Sequence, residues 1–138
     1  MATRGDETLT FETTRDIHAV AGVLKVLADP TRLRIFTLLR GGEACVCEIA
    51  GALDLAENLV SHHLGVLRRT GLVRDRRDPS DARWVYYELD AATLDQYAPL
   101  VGALFESRTL GARIPQCGPA AAVRIQLRPR GTRGVPAE

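Results

Sequence analysis

The sequence predicts a mainly α-helical domain with one small β-hairpin, and three observations predict it. Apolar residues recur at helical spacing in several separate windows, one short window alternates apolar with polar residues, and Gly, Pro and Asp punctuate the chain between them. At 138 residues, 46% hydrophobic and 25% charged, the chain fits one small globular domain with an ordinary core. No apolar run approaches the roughly 20 residues needed to span a bilayer, and the start MATRGDETLT lacks the apolar middle of a signal peptide. A cytoplasmic protein without membrane contact is expected.

Residues 1–13 are polar and aperiodic and read as a flexible arm. Ordered structure is expected from Thr14, where Ile17, Val20, Ala21, Leu24 and Ala28 make an amphipathic stripe. Asp29-Pro30 marks a second helix start, with Asp as N-cap and Pro at the first position. Leu33, Ile35, Phe36, Leu38 and Leu39 make that helix mostly buried, and Gly41-Gly42 ends it. A short helix is expected from Cys45 to Leu53, a turn at Asp54-Leu55, and a further helix from about Ala56 to Thr70. Residues 72–77 and 83–89 read as strands joined by the turn Asp78-Pro79-Ser80-Asp81. Asp90 caps a last helix reaching about Arg108, with Leu94, Tyr97, Ala98, Val101 and Phe105 as its stripe. Pro99 inside it should kink or divide that helix. The domain thus covers 14–110, and 111–138, rich in Gly, Pro, Ala and Arg, reads as a mobile tail carrying Cys117.

Two short helices around a tight turn make a helix-turn-helix, and an Arg-lined hairpin after it is a wing. On the second of the two helices Val60, Leu64 and Leu67 share one side. Asn58, Ser61, His62, Gly65 and Arg69 fall mainly opposite, leaving the small, polar surface that a helix entering a DNA major groove needs. The net charge of +1 gives no hint of nucleic acid, but its distribution does. Arg68, Arg69, Arg74, Arg76, Arg77 and Arg83 cluster, and Lys25 is the only lysine. Guanidinium suits forked contacts to phosphate and guanine, although a solvated Arg-rich surface has the same composition. Asn58, Ser61 and His62 are expected at base edges or nearby phosphates. Arg69 lies on the same outer face, Arg76 and Arg77 should set affinity and salt dependence, and Arg83 joins the wing's contacts with flanking phosphate or the minor groove. His63, near the apolar edge, reads as structural. The stripes of the first and last helices exceed what one small domain must bury, which points to pairing across a two-fold axis.

Cys45 and Cys47 stand one residue apart at the lead of the helix-turn-helix. Side chains at i and i+2 of an ideal helix diverge by about 200°. Both can hold one ion only if that helix start is non-helical or becomes so, which suggests a switch in which ion capture deforms the helix needed for DNA reading. Three cysteines, an odd count without an export signal, argue for reduced thiols rather than a disulfide framework. Closely spaced thiols also admit oxidant sensing. An enzyme is not expected: there is no Cys-x-x-Cys in a strand-helix setting, phosphate-binding glycine loop or nucleophile triad, hence no catalytic residue and no organic cofactor.

Leu27-Ala28-Asp29-Pro30-Thr31-Arg32, Cys45-Val46-Cys47-Glu48, Val60-Ser61-His62-His63-Leu64 and Trp84-Val85-Tyr86-Tyr87, in this order, resemble the ArsR/SmtB family of bacterial metal-responsive repressors over about residues 14–108. The resemblance implies a dimeric winged helix-turn-helix that occupies its operator, as double-stranded DNA, until metal binds. It also implies that Cys45 and Cys47 match the thiol pair of the arsenite and cadmium/lead branches. The chain departs from both. Arsenite sensors of the best-known type carry a third Cys where this chain has Ala50, and cadmium/lead sensors draw further thiols from an N-terminal arm that here has none. Cys117 is the one candidate left for a third thiolate, from the same subunit or across a dimer. Three thiolates suit As(III) or Sb(III), with Cd(II), Pb(II) or Hg(II) as thiophilic alternatives. The zinc and nickel members' ligands on the last helix are not matched, since Asp95 is present without a His.

Overall fold

The computed structural model describes residues 14–112 and 115–117; the expected arm over 1–13 and the rest of the tail lie outside the described residues. Helix α1 (Thr14–Leu27) is followed by α2 (Pro30–Leu39), β1 (Ala44–Cys45), α3 (Val46–Leu53) and α4 (Glu57–Arg69). Strands β2 (Val73–Arg77) and β3 (Val85–Leu89) then lead to α5 (Ala91–Phe105), and a 3-10 turn spans Ser107–Thr109. Of the described residues, those to Glu106 belong to one compact unit and those from Ser107 to a second.

Local chemistry sets the helix ends. Asp29 caps α2 through its carboxylate, which accepts from the Arg32 amide at 3.0 Å, with Pro30 in the first turn, where its missing N–H costs nothing. Gly42 leaves α2 with φ +136°, a conformation that strains any side chain. Asp54 ends α3 in the left-handed region at φ 53°, making the tight corner of the helix-turn-helix. Asp90 caps α5, accepting from the amides of Ala92 (3.0 Å) and Thr93 (3.4 Å), while its own amide donates to the Leu72 carbonyl at 2.9 Å.

The core gathers where these elements meet. Ile35, Ile49, Val60, Leu64 and Leu67 are fully buried, with Leu72 and Val73 from the entry to the wing. Burial of each such side chain contributes about 1.5–3 kcal/mol before chain entropy is subtracted. The packing of α4 therefore fixes which of its faces looks outward.

Besides α2, of which only Ile35 and Leu39 are buried while Leu33 is exposed, the structure corrects three expectations. First, the hairpin has a third strand: β1 pairs with β3 antiparallel, giving the order β1-β3-β2. Cys45 therefore belongs to a strand and not to α3. Second, α1 turns Val20 and Val23 to the core, while Ile17, Ala21, Leu24 and Ala28 of the expected stripe are exposed. That helix has two apolar faces, and the i, i+3, i+4 pattern had selected mostly the outer one. Third, of the two outcomes expected at Pro99, division does not occur: α5 runs from Ala91 to Phe105 as one helix. No helix among the described residues is long and apolar enough to cross a membrane.

Candidate functional site

The thiol pair sits at the corner where β1 becomes α3. Cys45 has extended backbone (φ −86°, ψ 167°) and occupies the N-cap position, whereas Cys47 lies in the first turn. The corner cancels the divergence that a continuous helix would impose, and the two Sγ atoms stand 2.9 Å apart. The non-helical start on which chelation depends is already in place, so no deformation is needed to bring the sulfurs together. Cys45 also donates to Glu48 Oε1 at 3.1 Å. It is buried, and Cys47 is exposed, so one sulfur is reachable from solvent and the other lies beneath it. Burial pushes the Cys45 thiol up to about 11, with the hydrogen bonds to Cys47 and Glu48 adding to the effect.

Two convergent sulfurs fit a soft ion chemically. Among the described residues, however, no group of three or more His, Cys, Asp or Glu side chains is arranged to hold a metal ion. Cys117 is exposed and lies in the second unit. Ala50, the position of the third cysteine in the arsenite branch, is buried with Ile49 on the inner side of α3.

Helix α4 presents Asn58, Ser61, His62 and Arg69 to solvent, opposite the fully buried Val60, Leu64 and Leu67. Gly65 is half-buried, and a Cβ there would meet the Arg69 guanidinium at 3.8 Å, so Arg69 folds back along its own helix. The wing arginines are less available than their number suggests. Arg76 forks onto Glu43, with Nε to Oε2 at 2.9 Å, and lies over the Tyr86 ring at 4.7 Å. Arg83 forks onto Asp81, with Nη2 to Oδ2 at 2.7 Å. Arg74 pairs with Glu88 at 2.8 Å and Arg68 with Asp75 at 3.3 Å. Arg69 and Arg77 form no ion pair among the described residues, although Arg77 donates to the Ala82 carbonyl at 2.8 Å. Arg76 holds the Glu43 carboxyl below the usual carboxylate range, and Arg83 does the same to Asp81.

Sequence reasoning missed two residues that set this geometry. Glu43 is one, because its partner lies 33 positions away. Arg32 is the other: its Nε donates to the Val26 carbonyl at 2.6 Å, and its Nη1 lies 3.3 Å from Nδ1 of the buried His63. A guanidinium can only donate, so Nδ1 accepts and the neutral imidazole carries its proton on Nε2. Burial lowers the His63 pKa, and Arg32 lowers it further against the opposing pull of Asp29. Arg32 thus ties the end of α1 to α4, and the Asp-Pro-Thr-Arg run was the signal available in sequence.

Residues 29–75 match the sequence profile of bacterial regulatory proteins of the arsR family. Over 68 residues the chain is 46% identical to the arsenical resistance operon repressor of Escherichia coli, covering 49% of this chain and 56% of that protein. Over 85 residues it is 34% identical to an uncharacterized HTH-type transcriptional regulator of Methanocaldococcus jannaschii, covering 61% of this chain and 92% of that one. A homodimeric winged helix-turn-helix DNA-binding domain from Mycobacterium bovis, a possible ArsR-family transcriptional regulator, superposes with a TM-score of 0.53 at 29% identity, covering 80% of this chain and 94% of its own. The chain spans a little over half the length of the arsenic-resistance relatives it matches.

Proposed function

We propose, from the premise that this chain belongs to the ArsR family of bacterial regulatory proteins, that it represses transcription from an operator and releases it when Cys45 and Cys47 capture trivalent arsenic or antimony. Its relatives are transcriptional regulators, not enzymes. The observation that carries the reading is the 2.9 Å approach of two sulfurs at the first corner of the helix-turn-helix. A thiophilic ion supplies paired sulfur bonds there, and Cys117, exposed, is the third thiolate available to it. Cd(II), Pb(II) and Hg(II) suit the same sulfurs.

The DNA-binding and dimerisation domain in this reading covers 14–110, acting in the cytoplasm where the operator lies. Asn58, Ser61 and His62 meet base edges or nearby phosphates, while Arg69 and Arg77 meet phosphate. Arg76 and Arg83 reach DNA only by leaving Glu43 and Asp81. The exposed Ile17 and Leu24 of α1, with Leu104 and Phe105 of α5, support a homodimer, since α1 and α5 pack together and leave this apolar surface uncovered. A two-fold axis would then set two recognition helices about one DNA turn apart.

The test is fluorescence anisotropy of a labelled duplex from the gene's upstream region, titrated with reduced protein and then with arsenite at fixed salt. Near-stoichiometric arsenite should lower operator affinity about 5–150-fold, the span of a typical coupling energy. Cys47→Ser should abolish that response while the ion-free protein still binds. Release by peroxide but not by any thiophilic ion would instead assign the thiols to oxidant sensing, and unchanged release from Cys47→Ser would reject the thiol pair altogether.

A further inference from the structure

We infer that Glu43 and Arg76 are positioning residues that couple the thiol corner to the wing, so that Arg76 sets where the wing stands instead of contacting DNA. The inference rests on the proposed release of DNA by ion capture, and it concerns the path by which that capture is felt.

The sheet register supplies the first observation. Cys45 opposes Tyr86 across β1 and β3, and Arg76 opposes the same Tyr86 across β3 and β2. One cross-strand row therefore runs from the buried thiol to the wing arginine, and directly opposed residues project from the same face of a pleated sheet. Arg76 lies along that face, over the Tyr86 ring, and ends in a two-pronged grip on Glu43, two residues before Cys45. The guanidinium thus reaches back across the middle strand to the segment that carries the thiol.

The second observation is how short the strand ladder of that segment is. Strand β1 has two residues and two register pairs, and one of those pairs is Cys45 itself. Any turn of Cys45 toward an ion acts on half of the ladder. The Glu43–Arg76 bridge is a further attachment of this edge to the wing, and it is positioned to carry such a turn into β2.

When arsenous acid reacts with two thiols, two As–O bonds break, two As–S bonds form and two waters leave with the thiol protons. The strand and its bridge offer the geometric path by which that capture reaches the wing.

The test uses the full chain with Glu43→Gln, Arg76→Gln and both together, read by operator anisotropy across a salt series, without ion and with arsenite or Cd(II). Ion affinity is followed separately by thiolate charge-transfer absorption. If the pair positions the wing, both single variants weaken ion-free operator binding by about 2- to 30-fold, the range for residues within a coupling network. The double variant is then no weaker than either, the salt slope is unchanged, and the ion-induced loss of affinity shrinks while ion affinity stays at the parent value. If Arg76 is a phosphate contact, the signs separate: Glu43→Gln tightens DNA binding, whereas Arg76→Gln weakens it and lowers the salt slope by about one. That outcome overturns the inference. A parent chain that ignores every thiophilic ion would remove the release reading, and the ion-free comparison of signs would still judge the pair.

Discussion

The recognition helix and the wing both carry the arginine and polar residues expected at a DNA surface, but they hold them in opposite ways. Helix α4 is anchored from beneath by Val60, Leu64 and Leu67 and leaves Asn58, Ser61 and His62 exposed. The wing is anchored only at its base, by Val73, and three of its four arginines are tied to acids within reach: Glu88 for Arg74, Glu43 for Arg76 and Asp81 for Arg83. Counting basic residues overstates the wing as a phosphate-binding surface. Charge in a sequence becomes charge available to a ligand only where no internal partner has claimed it.

The largest test of this contrast lies in the core of the helix. Leu64→Ala should cost about 2–5 kcal/mol in denaturant unfolding, because the cavity opens under a fully buried position. Trp84→Ala in the half-exposed wing loop should fall within about 0.5 kcal/mol. Equal losses would break the distinction between an anchored and an unanchored element.

At the next scale, His62→Ala should weaken operator binding about 5–150-fold and scrambled-duplex binding far less, as loss of a single base contact does. An equal loss on both duplexes would move His62 to the phosphate class.

The corner joining the two regions gives a pH dependence of about tenfold per unit. The Cys45 thiol, pushed up to about 11 by burial, stays protonated through the neutral range, and a proton competes with a cation for its Sγ. Raising pH removes that competition. Cd(II) affinity, measured against a chelator, should therefore rise about tenfold per pH unit from this group alone, while affinity for neutral arsenous acid stays flat. A flat Cd(II) profile would show that Cys45 does not coordinate.

The smallest effect separates two arginines of the wing. Arg77→Ala should reduce the salt slope of operator binding by about one, whereas Arg83→Ala, whose guanidinium is already forked onto Asp81, should change it little. The reverse order would show that DNA breaks the Asp81 pair.

What was legible in the sequence was local. The Asp29-Pro30 start, the buried side of α4 and the Asp78 turn each depend on neighbours within a few residues, and all three stand as read. Strand β1 was not legible, because two residues carry no periodicity and their partners, Tyr86 and Tyr87, lie about forty positions on. The inner face of α1 was misjudged because Val20 and Val23 compete with a second apolar face that the single chain does not cover. At the candidate site the closeness of Cys45 and Cys47 is visible in the sequence, but whether the corner lets both sulfurs meet depends on the β1–β3 pairing. The arginines were visible as a cluster, and their engagement was not, since Glu43 meets Arg76 only through the fold.

The two sulfurs of the corner also set a timescale. Under the proposed reading an ion meets the exposed Cys47 first and then finds Cys45 within 2.9 Å, so the second bond closes as an intramolecular step. Departure requires both bonds to be open at once, and whichever breaks first re-forms quickly from its neighbour. Arrival is then governed by the first ligand exchange at Cys47 and departure by a rare coincidence. The operator would empty promptly when a thiophilic ion enters the cell and refill slowly after it has gone, giving the response a memory of recent exposure.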